Sequence, residues 1–268
     1  MKKLLSSILL GASVLALAAC GDDDEKLVVG ASSTPHAVIL EKVKPILAEQ
    51  GIDLEIEEYQ DYILPNQDLE SGELDANYFQ HIPYFEAQKA EFDYDFENAG
   101  GIHIEPIGIY SKKYKSLDEL PEGATILLSN SVADHGRMLS LLEAQGLIKL
   151  ADGIDKTKAE IKDIVENPKN FQFDANTAAE LLVQMYENGE GDAVLINSNY
   201  AIDNGLNPLE DSIAIESADS SPYVNIIAVN SGDEDSKEIK ALVKALHSKE
   251  IQEFILEEWG GSVVPVSE

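Results

Sequence analysis

Within about thirty residues after Lys26, a short apolar run, a helical stripe and an alternating run follow one another with only brief turns between them. Leu27-Val28-Val29-Gly30 reads as a buried strand. Ser33 or Thr34 is placed to cap the next helix, with Pro35 near its first turn. Val38, Ile39, Val43, Ile46 and Leu47 fall on one helical stripe, which Gly51 is placed to close. Ile52, Leu54 and Ile56 then alternate with Asp53, Glu55 and Glu57, the pattern of a half-buried strand. Strand, helix and strand in so short a span form a βαβ unit, which commits the chain to an α/β class.

The same grammar returns further on. Ser116-Leu117-Asp118-Glu119 has a capping-box pattern, Ala124 to Leu128 reads as a strand, and Asp134 to Gln145 reads as a helix ending at Gly146. Glu70-Ser71-Gly72-Glu73-Leu74-Asp75-Ala76 is echoed 117 residues later by Glu187-Asn188-Gly189-Glu190-Gly191-Asp192-Ala193. Each copy follows a helical pattern and precedes a strand pattern. One reading is a pair of lobes of similar plan; the other is a turn word on which helix-to-strand connections converge. Pro222 to Val229 is strongly strand-like and is followed by helical patterns over about 233–247 and 249–258. A tail returning to the first lobe would give two chain crossings, hence a hinge.

The N-terminus reads as an address and an anchor. Met1-Lys2-Lys3 is a short positive start, Leu4 to Leu17 is mostly apolar, and small residues precede Cys20. That is the layout of a secretory signal peptide over residues 1–19. Leu17-Ala18-Ala19-Cys20 resembles a bacterial lipobox, in which the cysteine is acylated. Cys20 is the only cysteine, so an internal disulfide and a Cys-based zinc site are both excluded. Residues 20–26 then form an acidic tether, and the expected location is the extracytoplasmic face of the cell membrane, held by lipid.

Charge narrows the partners. Nineteen Lys and Arg stand against fifty Asp and Glu, a formal net charge of −31. Such a body repels phosphate backbones and anionic lipid surfaces, so nucleic acid is excluded as a partner. G-x-G-x-x-G, Walker A, H-E-x-x-H and G-x-S-x-G words are all missing. His36, His81, His103, His135 and His247 are scattered. If folding brought His36, His81 and His103 to one point, a metal-binding import lipoprotein would be favoured. Ser131, Asp134 and His135 lie close in sequence, but a hydrolase triad needs convergence in space.

Arg137 is the only arginine. It lies between a predicted strand and the start of a helix, where the sheets of open α/β folds present ligands. Its planar fork of donors matches a carboxylate in a way that lysine does not. The alternative is a structural ion pair, for which Asp134 is the convenient partner. Five of the chain's 18 aromatic residues fall within positions 62–85, interleaved with Asn77, Gln80 and His81. Core packing accounts for such rings singly, whereas the polar residues among them fit a pocket with polar tips. Asn197-Ser198-Asn199-Tyr200 and Ser221-Pro222-Tyr223-Val224-Asn225 lie beside strand ends. Together these groups suit a zwitterion with an apolar side chain.

Asp75-Ala76-Asn77-Tyr78-Phe79-Gln80-His81, Tyr110-Ser111-Lys112-Lys113-Tyr114-Lys115-Ser116-Leu117, Asp163-Ile164-Val165-Glu166-Asn167-Pro168-Lys169 and Ser221-Pro222-Tyr223-Val224-Asn225 resemble the NlpA lipoprotein family. The resemblance runs in order from Leu27 to Pro265. It implies a two-lobed periplasmic-binding-protein fold of type 2 with two hinge crossings, lobe 1 being residues 27–109 with 224–268 and lobe 2 residues 110–223. It implies a substrate-binding lipoprotein, not an enzyme, with no cofactor and no metal. Such a protein captures an amino acid, methionine first, for the membrane subunits and ATPase of an ABC importer. Another amino acid, a dipeptide or a metal ion are the alternative cargoes. Carried over by position, Arg137 takes the carboxylate and Asn197 and Asn225 hold the head group. Tyr62, Phe79 and His81 line the side-chain pocket, with Asn199 and Tyr78 behind them. Many family members read N-D-P-T-N-x-G-R where this chain reads Asn130-Ser131-Val132-Ala133-Asp134-His135-Gly136-Arg137.

Overall fold

The computed structural model describes residues 25–219 and 221–266. The expected signal peptide, Cys20 and the start of the tether lie outside the described residues. The elements run β1 (Glu25–Ser32), α1 (Val38–Ala48), β2 (Ile52–Tyr59), α2 (Leu64–Ser71), β3 (Ala76–His81), α3 (Ile82–Phe92) and β4 (Phe96–Ile104). They continue with β5 (Gly108–Tyr110), β6 (Thr125–Ser129), α4 (Val132–Ala144), β7 (Lys149–Leu150), β8 (Ile164–Glu166), β9 (Gln172–Thr177), α5 (Leu182–Glu187) and β10 (Ala193–Ile196). The chain ends through α6 (Ser198–Asp203), α7 (Pro208–Asp211), β11 (Ala214–Ile215), β12 (Val224–Asn230), α8 (Lys237–Leu246), α9 (Lys249–Trp259) and β13 (Val264–Pro265).

Two sheets organise these elements. The first has the order β13-β4-β12-β3-β1-β2, the second β11-β5-β10-β6-β9. β1 pairs in parallel with β2, as the opening βαβ pattern requires, and on its other side in parallel with β3. The late strand β12 inserts antiparallel between β3 and β4, so the tail does return to the first sheet. The backbone therefore passes between the sheets twice, at 105–107 and at 216–223. α1, α8 and α9 cover the first sheet through Ile39, Leu40, Val43, Leu242 and Ile255, all at or near zero exposure. α4 covers one face of the second through Met138, Leu139 and Leu142. α5 and α6 cover its other face through Leu182 and Ala201.

The echoed word has one structural job in both places. Asp75 Oδ2 accepts the Val28 N–H of β1 at 2.7 Å, and Asp75 N–H donates back to Val28 O at 2.9 Å. Asp192 does the same to Thr125, the first residue of β6, at 2.8 and 2.7 Å. Each aspartate thus sets the register between the strand that it starts and the strand beside it. Gly72 and Gly189, with φ of 77° and 71°, supply the left-handed turn before it.

Two local expectations differ. Neither Ser33 nor Thr34 caps α1: Thr34 is extended (φ −131°, ψ 132°), and the regular helix starts only at Val38. Ser33 Oγ instead accepts from Gln60. The Ser116 capping-box pattern starts a single tight turn, Leu117–Glu119, because Glu119 turns back to the Lys115 N–H.

Gly136 fixes where α4 lies. A Cβ there would meet the backbone of residues 156 and 157 at 2.4–2.7 Å, so no side chain fits. Gly136→Ala is therefore expected to lower stability by about 1–3 kcal/mol, the usual cost of overpacking against an unyielding neighbour. Urea denaturation checks this; an unchanged midpoint would show that the helix shifts freely.

Candidate functional site

The ends of five strands face one crevice between the sheets. β3 delivers Phe79 and His81, β4 leads to Glu105, β10 to Asn197, β6 to α4, and the start of β12 supplies Asn225. This is where open α/β sheets bind ligands, because the loops leaving the strands' carboxyl ends diverge there. Tyr62, Phe79, His81, Arg137, Asn197 and Asn225 all line this one cavity. Asn199 joins them, together with Gln80, Tyr84, Glu105, Asp134 and Ser198. Tyr78 does not. It lies on the opposite face of β3 from Phe79, fully buried, with its hydroxyl on His103 Nδ1.

The aromatic side is a packed wall. The Tyr62 ring lies 6.0 Å from Phe79, 6.0 Å from Tyr84 and 5.0 Å from Tyr200, in tilted and edge contacts. Tyr62 Oη donates to Asn199 Oδ1 at 2.7 Å, and Tyr84 Oη to Tyr62 O at 2.7 Å. Burial pushes the phenols of Tyr62 and Tyr84 far up, so both stay neutral.

The polar side is built round Arg137, which is 4% exposed. Its guanidinium lies over the Tyr223 ring at 4.6 Å. One terminal nitrogen donates to Glu105 O at 2.6 Å and to Glu216 Oε2 at 2.5 Å. Burial works against its charge, but Glu216 and Asp134 outweigh it and raise the pKa. The ion-pair partner is thus Glu216, not Asp134. Asp134 instead accepts from His81 Nε2 at 2.9 Å and from Asn197 Nδ2 at 3.2 Å. Two buried atoms of this side have no protein partner: Arg137 Nε, a donor, and Asn197 Oδ1, an acceptor.

Behind Asn225 runs a buried chain. His36 Nε2 meets Asn225 Oδ1 at 3.1 Å and Glu105 Oε1 at 3.2 Å. His103 Nε2 donates to the same Glu105 oxygen at 2.8 Å. Burial, only partly offset by Glu105 for His36, lowers the pKa of His36 to about 4; burial takes His103 to about 3. Burial also raises Glu105, against the pull of His36 and Arg137. His36, His103 and Glu105 lie close enough together to hold a metal ion. Their facing atoms, however, already donate to and accept from one another. His81, the third histidine of the metal reading, is engaged with Asp134 instead. The hydrolase arrangement does not assemble either, since His135 Nε2 binds Ser129 O at 2.9 Å and Asp134 belongs to His81.

Glu216, Glu105, Tyr84 and Ser198 are site residues that the sequence reading missed. Glu216 comes from a crossing segment 79 residues beyond Arg137 and carries no motif. Ser198 carries no signal beyond its place in the Asn197-Ser198-Asn199-Tyr200 run; its hydroxyl donates to Pro106 O in the other crossing. Among the described residues, no helix is long and apolar enough to cross a membrane.

Comparison with known proteins places this geometry. The family model for NlpA lipoprotein matches residues 27–267. The methionine-binding lipoprotein MetQ of Bacillus subtilis is 51% identical over 275 residues, covering 100% of both chains. A crystal structure of a putative methionine-binding lipoprotein from Bacillus subtilis superposes with a TM-score of 0.89 at 53% identity, covering 91% of this chain and 99% of the other. A nutrient binding protein from Burkholderia cenocepacia, solved bound to methionine, gives a TM-score of 0.84 at 40% identity, covering 89% and 99%.

The buried imidazoles set a pH dependence of stability. Their folded pKa values lie below the ordinary 6.5, so on acidification the unfolded chain takes up protons that the folded chain refuses. This stability is complete above pH 6.5 and falls below it, down to about pH 4 for His36 and about pH 3 for His103, by about 1.4 kcal/mol per pH unit for each ring. Glu105, with its raised pKa, acts in the opposite sense. Denaturant unfolding at pH 5 and pH 7 is expected to show a shallower loss for His36→Gln than for the unaltered protein. Equal slopes would mean that His36 is not held neutral.

Proposed function

The chain belongs to the NlpA lipoprotein family, and from that premise we propose that it captures a free amino acid, methionine first, outside the cytoplasmic membrane for an ABC importer. One observation carries the reading. A buried donor on a guanidinium and a buried acceptor on an amide stand unpaired in the same cavity, Arg137 Nε and Asn197 Oδ1. Leaving such groups without partners costs about 1–3 kcal/mol each. A ligand that brings a carboxylate to the one and an ammonium to the other recovers that cost. The aromatic wall of Tyr62 and Phe79, with the edge of His81, suits an apolar thioether or aliphatic side chain. Asn225, held by His36, would help Asn197 grip the head group.

Capture would proceed by closure of two lobes, one on each sheet, with residues 108–110 (β5) on the second lobe rather than the first. The space at the centre of the cavity is about 20 Å³, roughly the room one water needs. An amino acid therefore enters only when the walls part. Residues 105–107 and 216–223 are the segments about which they would move. Contacts that span the sheets, Tyr62 to Asn199 and His81 to Asp134, would be broken by opening and so favour the closed arrangement. The closed form would then be presented to the importer's membrane subunits, with Cys20 anchoring the chain through acyl groups.

Arg137→Ala is expected to weaken methionine binding by about 2–5 kcal/mol, the range for removing one member of a desolvated charge pair. Calorimetry that shows unchanged affinity would refute the carboxylate assignment. A thermal-shift screen of the twenty amino acids and short dipeptides ranks the cargo, since a ligand of the native state raises the melting temperature. The anchor is tested separately: Cys20→Ser is expected to abolish incorporation of labelled palmitate and to release the protein from the membrane fraction. Retention with label would place the lipid elsewhere.

A further inference from the structure

The cavity holds a charge that this reading leaves unused. Asp134 is 1% exposed and lines the same space as Arg137. Its two hydrogen-bond partners are His81 and the neutral amide of Asn197. His81 Nδ1 accepts the Tyr84 N–H, which turns the ring so that Nε2 faces Asp134. The Arg137 guanidinium is already paired with Glu216. Asp134 thus has neither lysine nor arginine in hydrogen-bond contact among the described residues. It is nevertheless held as a carboxylate. Burial opposes the charge, but His81, through its hydrogen bond and its field, outweighs it together with the Arg137 field and the Asn197 amide, and the pKa stays below the usual range. The N-terminal turn of α4, where it lies, favours a negative charge as well. A buried carboxylate of this kind is costly unless a cation reaches it.

We propose that Asp134 is the counter-charge for the ligand's ammonium group. Asp134 and Arg137 are three residues apart on one helix, so they sit side by side on its surface, with Cβ atoms about 5–6 Å apart. One helix face then offers a negative and a positive group in the order that an α-amino acid requires, with its ammonium and carboxylate on adjoining atoms. Glu105 also lines the cavity, but its Oε1 is engaged by His103 and His36, which turns it toward the interior network. Asp134 would make the site select against ligands that lack the amino charge: hydroxy acids, keto acids and N-acylated amino acids.

This rests on the reading of the cavity as an amino-acid site, and the test separates the two. Calorimetry on the full chain compares L-methionine with 2-hydroxy-4-methylthiobutanoate, which replaces the ammonium with a hydroxyl and keeps the rest. The unaltered protein is expected to prefer methionine by about tenfold or more. Asp134→Asn is expected to lose at least about tenfold in methionine affinity while binding the hydroxy acid within about threefold of the unaltered protein, so that the preference collapses. Asp134→Ser serves the same purpose if the Asn variant does not fold. A preference that survives in a folded variant overturns the inference and leaves the amino-acid reading intact. If the unaltered protein binds neither compound nor any other amino acid, the amino-acid reading itself falls.

Discussion

The arrangement turns on one buried guanidinium that touches both passages between the sheets. Arg137 belongs to α4 of the second sheet, yet its hydrogen bonds go to Glu105 O in the first crossing and to the Glu216 carboxylate in the second. Glu216 in turn accepts the Ile107 N–H at 3.2 Å, so three charged or polar groups knit the two crossings together. A guanidinium has five donors in a fixed plane, and two protein contacts leave part of the fork open. Whatever carboxylate occupies the open side is thereby linked to the segments about which the lobes would turn. Binding and closure then share one residue, and no separate transmitting pathway is needed.

That residue is held in place by features far from the cavity. The paired aspartates Asp75 and Asp192 set strand register in each sheet, which decides which side chains of β3 and β10 reach the crevice. A slip of one residue in β3 would turn Phe79 and His81 away from the cavity and bring Tyr78 toward it. Gly136 lets α4 lie against the backbone of residues 156 and 157, which fixes how far Arg137 projects. The fold thus determines the site at two levels, by register along the strands and by the approach of one helix.

Much of this was legible in the sequence because it depends on local pattern. The βαβ start, the return of β12 and the echo at 70–76 and 187–193 follow from periodicity and turn residues. Arg137, Asn197 and Asn225 stand out because each is a polar residue at a strand end. What stayed hidden depends on long-range pairing. Nothing distinguishes Glu216 or Glu105 among fifty acidic residues until the crossings bring them to Arg137. Tyr78 looked like its neighbours Phe79 and His81, but all of β3 is buried on both faces, so alternation gives no sign of which face meets the cavity. Asp134 was visible as a possible partner of Arg137 and as a member of a hydrolase triad, and it is neither. Its actual partners, His81 and Asn197, lie on other strands.

The net charge of −31 and a cavity that contains the only arginine raise the question of how an anionic group could enter an anionic body. The answer lies in range. A zwitterion has no net charge, so the protein's far field exerts little force on it, and surface charges are screened within about 8–10 Å in ordinary salt. Inside the cavity, water is mostly displaced and each fixed group acts at short distance in a less polarisable medium, where orientation matters more than sum. The chain from Tyr78 through His103, Glu105 and His36 to Asn225 fits this role. Because burial keeps both imidazoles neutral, it adds no mobile charge near the ligand, and its hydrogen bonds fix the orientation of the Asn225 amide. Selectivity among zwitterions then falls to the aromatic wall, the one side of the cavity with no formal charge to offer.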